Sequence, residues 1–255
     1  MQVSLMFEAH LKAFETLPEF LEGHDLGAAI VEAADQEGFQ WTSDCSLVIA
    51  QKVISKCEGA IVDLRSISPS ERAEKIATEL DKDPRLVEVI LGESRRVVRS
   101  ERGVLITETH HGWICANAGV DRSNVPGDEY VALLPKDPDA SARKVRETVR
   151  NETGVSCPVV ISDTFGRPWR MGLVNVAIGV AGFEPVVDLR GSVDERGRPL
   201  EGTQVALADE LAAAAGLAMP KTGATPVVAI QGARIKQAAA DSSNLRRAAE
   251  QDLFR

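Results

Sequence analysis

The chain has 255 residues, 44% of them hydrophobic, enough for one large core or two smaller lobes. Its net charge of −9, from 38 acids against 29 bases, repels phosphodiester backbones and excludes general nucleic-acid binding. That balance leaves room for one phosphorylated small molecule held by a few local lysines and arginines. No stretch of apolar residues is long enough to cross a membrane, and "MQVSLMFEAHLKAF" lacks a basic n-region with a cleavage site, so the expected location is cytoplasmic. Cys45, Cys57, Cys115 and Cys157 are widely spaced and read as small buried hydrophobes, not as a disulfide or zinc set.

Taken in order, "LGAAIVEAADQ" (26–36) has helical apolar spacing, and "CSLVIAQKVIS" (45–55) is a β-branched run that predicts a buried strand. Ser68, Pro69 and Glu71 predict a capped helix start before "RAEKIATEL". Asp83-Pro84 opens a second helix, expected to run through "RLVEVILGESRRVVR". Two short strands, "GVLITETH" and "GWICANAGV", are joined across His110-His111-Gly112. "DASARKVRETVRNETG" (139–154) predicts an amphipathic helix ended by glycine, and "CPVVISDT" (157–164) a compact strand ending on Asp163-Thr164. "GLVNVAIGVAGFEPVVDLRG" reads as glycine-punctuated strands, "LADELAAAAGLAM" as a helix, "TPVVAIQG" (225–232) as a buried strand and "DSSNLRRAAEQDLFR" as a short helix. Paired neighbouring strands among helices imply an α+β fold with mixed, largely antiparallel sheets. No repeat or linker divides the chain, so a single domain over 1–255 is expected, with two lobes as the alternative.

"NAGVDRSNV" (117–125) crowds an aspartate, a serine and two amides between an apolar strand and Pro126-Gly127-Asp128. Asp121 follows one strand and Asp163 ends another, where carboxylates suit a hard divalent cation, and Thr164 adds a hydroxyl. The competing reading makes both aspartates turn or cap residues. "SDTFGRPWRMG" (162–172) weighs against it. Arg167 and Arg170 can clamp phosphate or carboxylate; the alternative is Trp169 as a core residue with the arginines as its solvated rim, but the combination is unusual for a connecting loop. Gln51, Lys52, Ser55 and Lys56 stand at a strand end, where Lys56 could serve as a point charge on a phosphate or simply face solvent. There is no P-loop and no dinucleotide fingerprint.

Five segments in this order, "LPEFLEGHDL", "AQKVISKCEG", "NAGVDRSNV", "LLPKDPDASA" and "SDTFGRPWRMG", resemble the coenzyme F-420 gamma-glutamyl ligase family, from about Leu17 to about Gln231. The resemblance implies a non-standard α+β fold, an intertwined homodimer and a need for Mg²⁺ or Mn²⁺. It implies an enzyme that couples GTP hydrolysis to joining L-glutamate to the deazaflavin F-420 precursor, then adds gamma-linked glutamates. By motif, Asp121 and Asp163 would hold one divalent ion and Thr164 would contact a second. Leu17, Pro18, Glu19, Phe20, Gln51, Lys52, Lys56 and Asn124 would line the GTP site, with Lys56 beside the two aspartates in catalysis.

In one loop the chain leaves the family. Where relatives carry a carboxylate or amide before the last core strand, "MPKTGATP" (219–226) places Lys221, which cannot ligate a cation while protonated. Lys221 is expected either to act directly on the nucleotide phosphates or to leave the second metal held differently. It also keeps open a nucleotide-binding regulatory protein, beside a ligase for a different acyl acceptor. Some relatives carry an additional flavin reductase domain, which a chain ending at Arg255 is expected to lack.

Overall fold

A computed structural model describes residues 8–233 and 235–252. A short edge strand, β1 (His10–Ala13), leads to helix α1 (Leu26–Gln36), whose first turn is capped by Asp25 accepting from Ala28 N. Strand β2 (Ser46–Ala50) then passes directly into helix α2 (Gln51–Cys57), so the single strand expected over 45–55 is divided. The reason is visible in the apolar spacing: Val53, Ile54 and Cys57 fall on one helical face, and Ser55 Oγ folds back onto Gln51 O at 3.2 Å.

Strand β3 (Ile61–Asp63) precedes helix α3 (Glu71–Leu80). Its cap is Ser70, not Ser68, so Pro69 lies ahead of the cap; Ser70 Oγ accepts from Ala73 N and donates to Glu88 at 2.6 Å. Helix α4 (Pro84–Gly92) starts as expected on Asp83 and Pro84 but stops at Gly92. The residues expected to continue it form β4 (Ser94–Glu101), paired with β5 (Val104–Thr109). Arg102 and Gly103 both take left-handed backbone, the turn that matches strand twist in a hairpin, and Arg96 bonds Glu108 across it at 2.8 Å.

Strands β6 (Ile114–Ala116) and β7 (Tyr130–Ala132) follow, then α5 (Pro138–Thr153), which ends on left-handed Gly154. The stretch read as a loop around Arg167 is a hairpin: β8 (Val159–Arg167) and β9 (Arg170–Ala181) run through it and turn over Pro168-Trp169. Asp163 therefore lies inside a strand, not at its end, and Trp169 is 81% exposed instead of core. Strands β10 (Val187–Asp188) and β11 (Gln204–Val205), helix α6 (Leu207–Gly216) and strand β12 (Val227–Gln231) complete the elements. The tail forms two 3-10 turns, Ser242–Leu245 and Ala249–Gln251, in place of the expected helix. The leader reading over 1–7 and the end of that tail lie outside the described residues.

Five strands make the main sheet in the order β1-β12-β2-β8-β9, with β2 and β8 parallel and the other neighbours antiparallel. Alternation in its central strands fills two cores. Leu47, Ile49, Val159, Ile161, Val227 and Ala229 face α1, α2 and α5, while Val48, Val160, Val228 and Ile230 face α6. A third core lies between α3, α4 and the β4-β5-β6 sheet, centred on Leu64, Val87, Ile90 and Leu105. The fold is mixed α+β with mostly antiparallel sheets, as expected. Among the described residues, no helix is long and apolar enough to cross a membrane.

Candidate functional site

Parallel pairing sets the carboxyl end of β2 beside the middle of β8, at one end of the main sheet, with Ala50 opposite Ser162. The residues just past that pair, Gln51-Lys52 and Asp163-Thr164, are thereby neighbours in space. Strand β12 runs the other way, so the loop before it arrives at the same edge, fixed by Ala50 N donating to Pro226 O at 2.8 Å. Lys221 belongs to that loop. Topology alone thus gathers three of the sequence segments singled out above.

Asp121 comes from the other side. Asn117, Ala118 and Gly119 are three successive left-handed residues that turn the chain out of β6. A Cβ on Gly119 would stand 2.7 Å from the Leu134 side chain, so the turn requires glycine there for space as well as for backbone. Asp121 is then pinned by a two-way backbone bridge to Ala132. Its carboxylate accepts from Lys52 Nζ at 2.7 Å and from Ser123 N at 2.7 Å, while Ser123 Oγ adds a bond at 2.9 Å and itself contacts Lys52. Burial works to raise the Asp121 pKa, but the Lys52 ammonium and the Ser123 donors outweigh it and hold the carboxyl below its usual range.

Asp163 shows the opposite balance. Burial pushes its carboxyl up to about 6, the Thr164 N–H opposes this, and the nearby Asp121 charge adds to the rise. The positive charges of Lys221 and Lys52 offset only part of it. Asp121 and Asp163 thus bring two carboxylates near enough to repel each other, beside the ammonium groups of Lys52 and Lys221. Among the described residues, no group of three or more His, Cys, Asp or Glu side chains could hold a metal ion. The donor set fits a hard ion that takes few protein ligands and completes its shell with water and phosphate oxygens.

Thr164 is bound on both sides. Its N–H donates to Asp163 Oδ1 at 2.7 Å, its hydroxyl donates to Asn175 Oδ1 at 2.9 Å, and Lys221 Nζ donates to that hydroxyl at 2.6 Å. Asn175 escaped the sequence reading. Its only signal is its register position opposite Thr164 in the β8–β9 pair, which cannot be read before the pairing is known.

The segment assigned to nucleotide binding is split by the fold. Phe20 is buried in the core beside α1 and α2, Leu17 packs against its margin, and Pro18 and Glu19 are exposed. Glu19 accepts from Lys56 Nζ at 2.5 Å, so this stretch and α2 do meet. Gln51 is buried, and its amide oxygen is taken by Ser55 Oγ at 2.8 Å. Asn124 lies exposed with left-handed backbone in the loop after Asp121. Arg167, at the hairpin tip, donates to Met171 O at 3.3 Å. His110 and His111 bond the backbone carbonyls of Gly92 and Pro135. All four cysteines are free thiols.

Residues 16–232 match the family described as F420-0:Gamma-glutamyl ligase. A protein of Methanothermobacter thermautotrophicus named Coenzyme F420:L-glutamate ligase is 46% identical over 219 residues, 86% of each chain. A protein of the same name from Methanopyrus kandleri is 47% identical over 211 residues, 82% of this chain and 81% of its own. Another from Haloarcula marismortui is 40% identical over 226 residues, covering 86% of this chain and 85% of its own. With identity of this order over most of both sequences, the chain belongs to the F420-0:gamma-glutamyl ligase family.

Proposed function

We propose that this protein is a GTP-dependent ligase that joins L-glutamate to the deazaflavin F-420 precursor and then adds gamma-linked glutamates. The observation that carries the reading is the convergence of Asp121, Asp163, Thr164, Lys52 and Lys221 at one edge of the main sheet. Two carboxylates and two ammonium groups at one place suit a phosphoryl group with its cation better than they suit a neutral ligand.

A carboxylate resists attack by an amine, so it must first be activated. The precursor's carboxylate oxygen bonds to the γ-phosphorus of GTP, the bond to the bridging oxygen breaks, and GDP leaves. Glutamate's amine nitrogen then bonds to the acyl carbon, the carbon–oxygen bond breaks, and phosphate leaves with the proton shed by nitrogen. Mg²⁺ or Mn²⁺ at Asp121 and Asp163 would draw charge off the γ-phosphoryl group during its transfer. Lys52 sits on Asp121 and is placed to pass between that carboxylate and a phosphate oxygen. Lys56 lies one helical turn further along α2 and, released from Glu19, can reach a second phosphate. Leu17, Pro18, Glu19, Phe20, Gln51 and Asn124 complete the proposed nucleotide site.

We further propose a cytoplasmic homodimer. Supporting it is the hairpin tip, where Met171 and Leu173 are 97% and 66% exposed beside Trp169, an apolar projection that a second copy could cover.

Incubating the protein with GTP, Mn²⁺, L-glutamate and the precursor tests the central claim by mass spectrometry. A product heavier by one or more glutamates, formed with GDP, supports it. Turnover only with another acid would redirect the reading to a different acyl acceptor, and bound but unchanged GTP would leave a regulatory protein.

A further inference from the structure

Thr164 Oγ1 has one proton and two lone pairs. The proton is committed to Asn175 Oδ1 and one lone pair to the Lys221 ammonium at 2.6 Å. A cation ligated by the same oxygen would face that ammonium with only the oxygen between them, and an ammonium offers no lone pair of its own. Charge repulsion at that separation opposes double occupancy.

The position of Lys221 is built into the loop. Gly223 N donates to Pro220 O at 2.9 Å, Thr225 Oγ1 donates to Ala218 O at 3.0 Å, and Pro226 is bonded to the end of β2. These bonds hold the loop at both ends, and Lys221 projects from it onto β8. Asn175 is held in turn by Met219 from the same loop, with its amide 3.9 Å from the sulfur. The hydroxyl therefore meets a loop whose shape delivers an ammonium to it.

We infer, resting on the metal-assisted reading above, that this chain takes one divalent cation, at Asp121 and Asp163, and that the Lys221 ammonium supplies the second positive charge. The second ion that the family resemblance implies does not fit beside Thr164. Lys221 becomes a specificity-determining residue for the metal count.

Counting bound Mn²⁺ by electron paramagnetic resonance tests this, with protein alone and with a non-hydrolysable GTP analogue at one per chain. The wild-type protein is expected to saturate at one ion per chain, with the hyperfine pattern of an isolated ion. Lys221→Glu restores a carboxylate and should saturate at two, with the spectrum broadened by coupling between neighbouring ions. Lys221→Gln, which is neutral and offers an amide oxygen, should also admit a second ion and guards against any folding loss from charge reversal. Two ions on the wild-type protein would overturn the inference and leave the ligase reading intact. One ion on both variants would show that Lys221 is not what excludes the second. No ion on the wild-type protein would remove the metal-assisted reading and this inference together.

Discussion

Lys56 and Glu19 form an ion pair at 2.5 Å across 37 residues of chain, and the pair ties the segment after β1 to helix α2. In the proposed complex Lys56 exchanges this carboxylate for a phosphate. The two partners should then respond in opposite ways to substitution. Lys56→Ala removes a charge-assisted bond, worth roughly 1.5–3 kcal/mol, and should weaken GTP binding by about tenfold or more. Glu19→Gln frees the ammonium and should tighten it. Neither should move the melting temperature much, because a pair whose carboxylate stays largely in solvent contributes at most about 1 kcal/mol. Calorimetric titration with GTP reads both directions, and equal weakening by the two variants would assign the pair a purely structural role.

Asp163→Asn preserves shape and removes a charge that burial and Asp121 already disfavour. Turnover should fall by about 10²-fold or more, the scale seen when one preorganised electrostatic contact to a transition state is lost. Thermal unfolding without divalent ions should stay unchanged or rise. Near-wild-type turnover at ordinary Mn²⁺ concentrations would take Asp163 out of the site.

Glu37 gives a pH prediction remote from that chemistry. Its carboxylate accepts from Glu15 N at 2.6 Å and Thr16 N at 2.9 Å and pairs with Lys12 at 2.5 Å. Burial works to raise its pKa, but the Lys12 ammonium and the Thr16 and Glu15 donors outweigh this and hold it at about 2, against an ordinary 4.5. A depressed carboxyl stabilises the fold fully above its unfolded value and loses that contribution as pH falls towards the folded value. The stability difference between wild type and Glu37→Gln should therefore shrink as pH falls from 4.5 to about 2. Urea midpoints measured across that window would show it, and a constant difference would mean that the ion pair contributes nothing.

Local signals were read well where one local force decides the outcome. Helix α1 was legible because its apolar period and its length agree, and α5 because glycine ends it. The change from β2 to α2 was missed because Val53 and Ile54 are β-branched, and only packing against the core selects the helix. The continuation past Gly92 was misread for the converse reason: the hairpin with β5 overrides a helical-looking run of arginines. At the candidate site, Asp121, Asp163 and Thr164 stand out by motif and Lys221 by its departure from the family pattern, and Glu19 and Lys56 are neighbours. Asn175 and the Lys52–Asp121 pair depend on register and on the meeting of separate elements, which no spacing along the chain encodes.

Strand β12 lies between β1 and β2, and Ser46 Oγ reaches Ile230 O across 184 residues of chain. During synthesis, β2 is therefore complete long before either of its neighbours, β8 and β12, has been made. A nascent chain must carry β1 and β2 with open edges until its last core strand appears, the state most exposed to wrong pairing with another chain. Closure over so long a loop is slow, because its entropy must be met before the contacts form. The same late strand brings in the loop bearing Lys221, so the chain gains its finished sheet and its Lys221–Thr164 contact in one event.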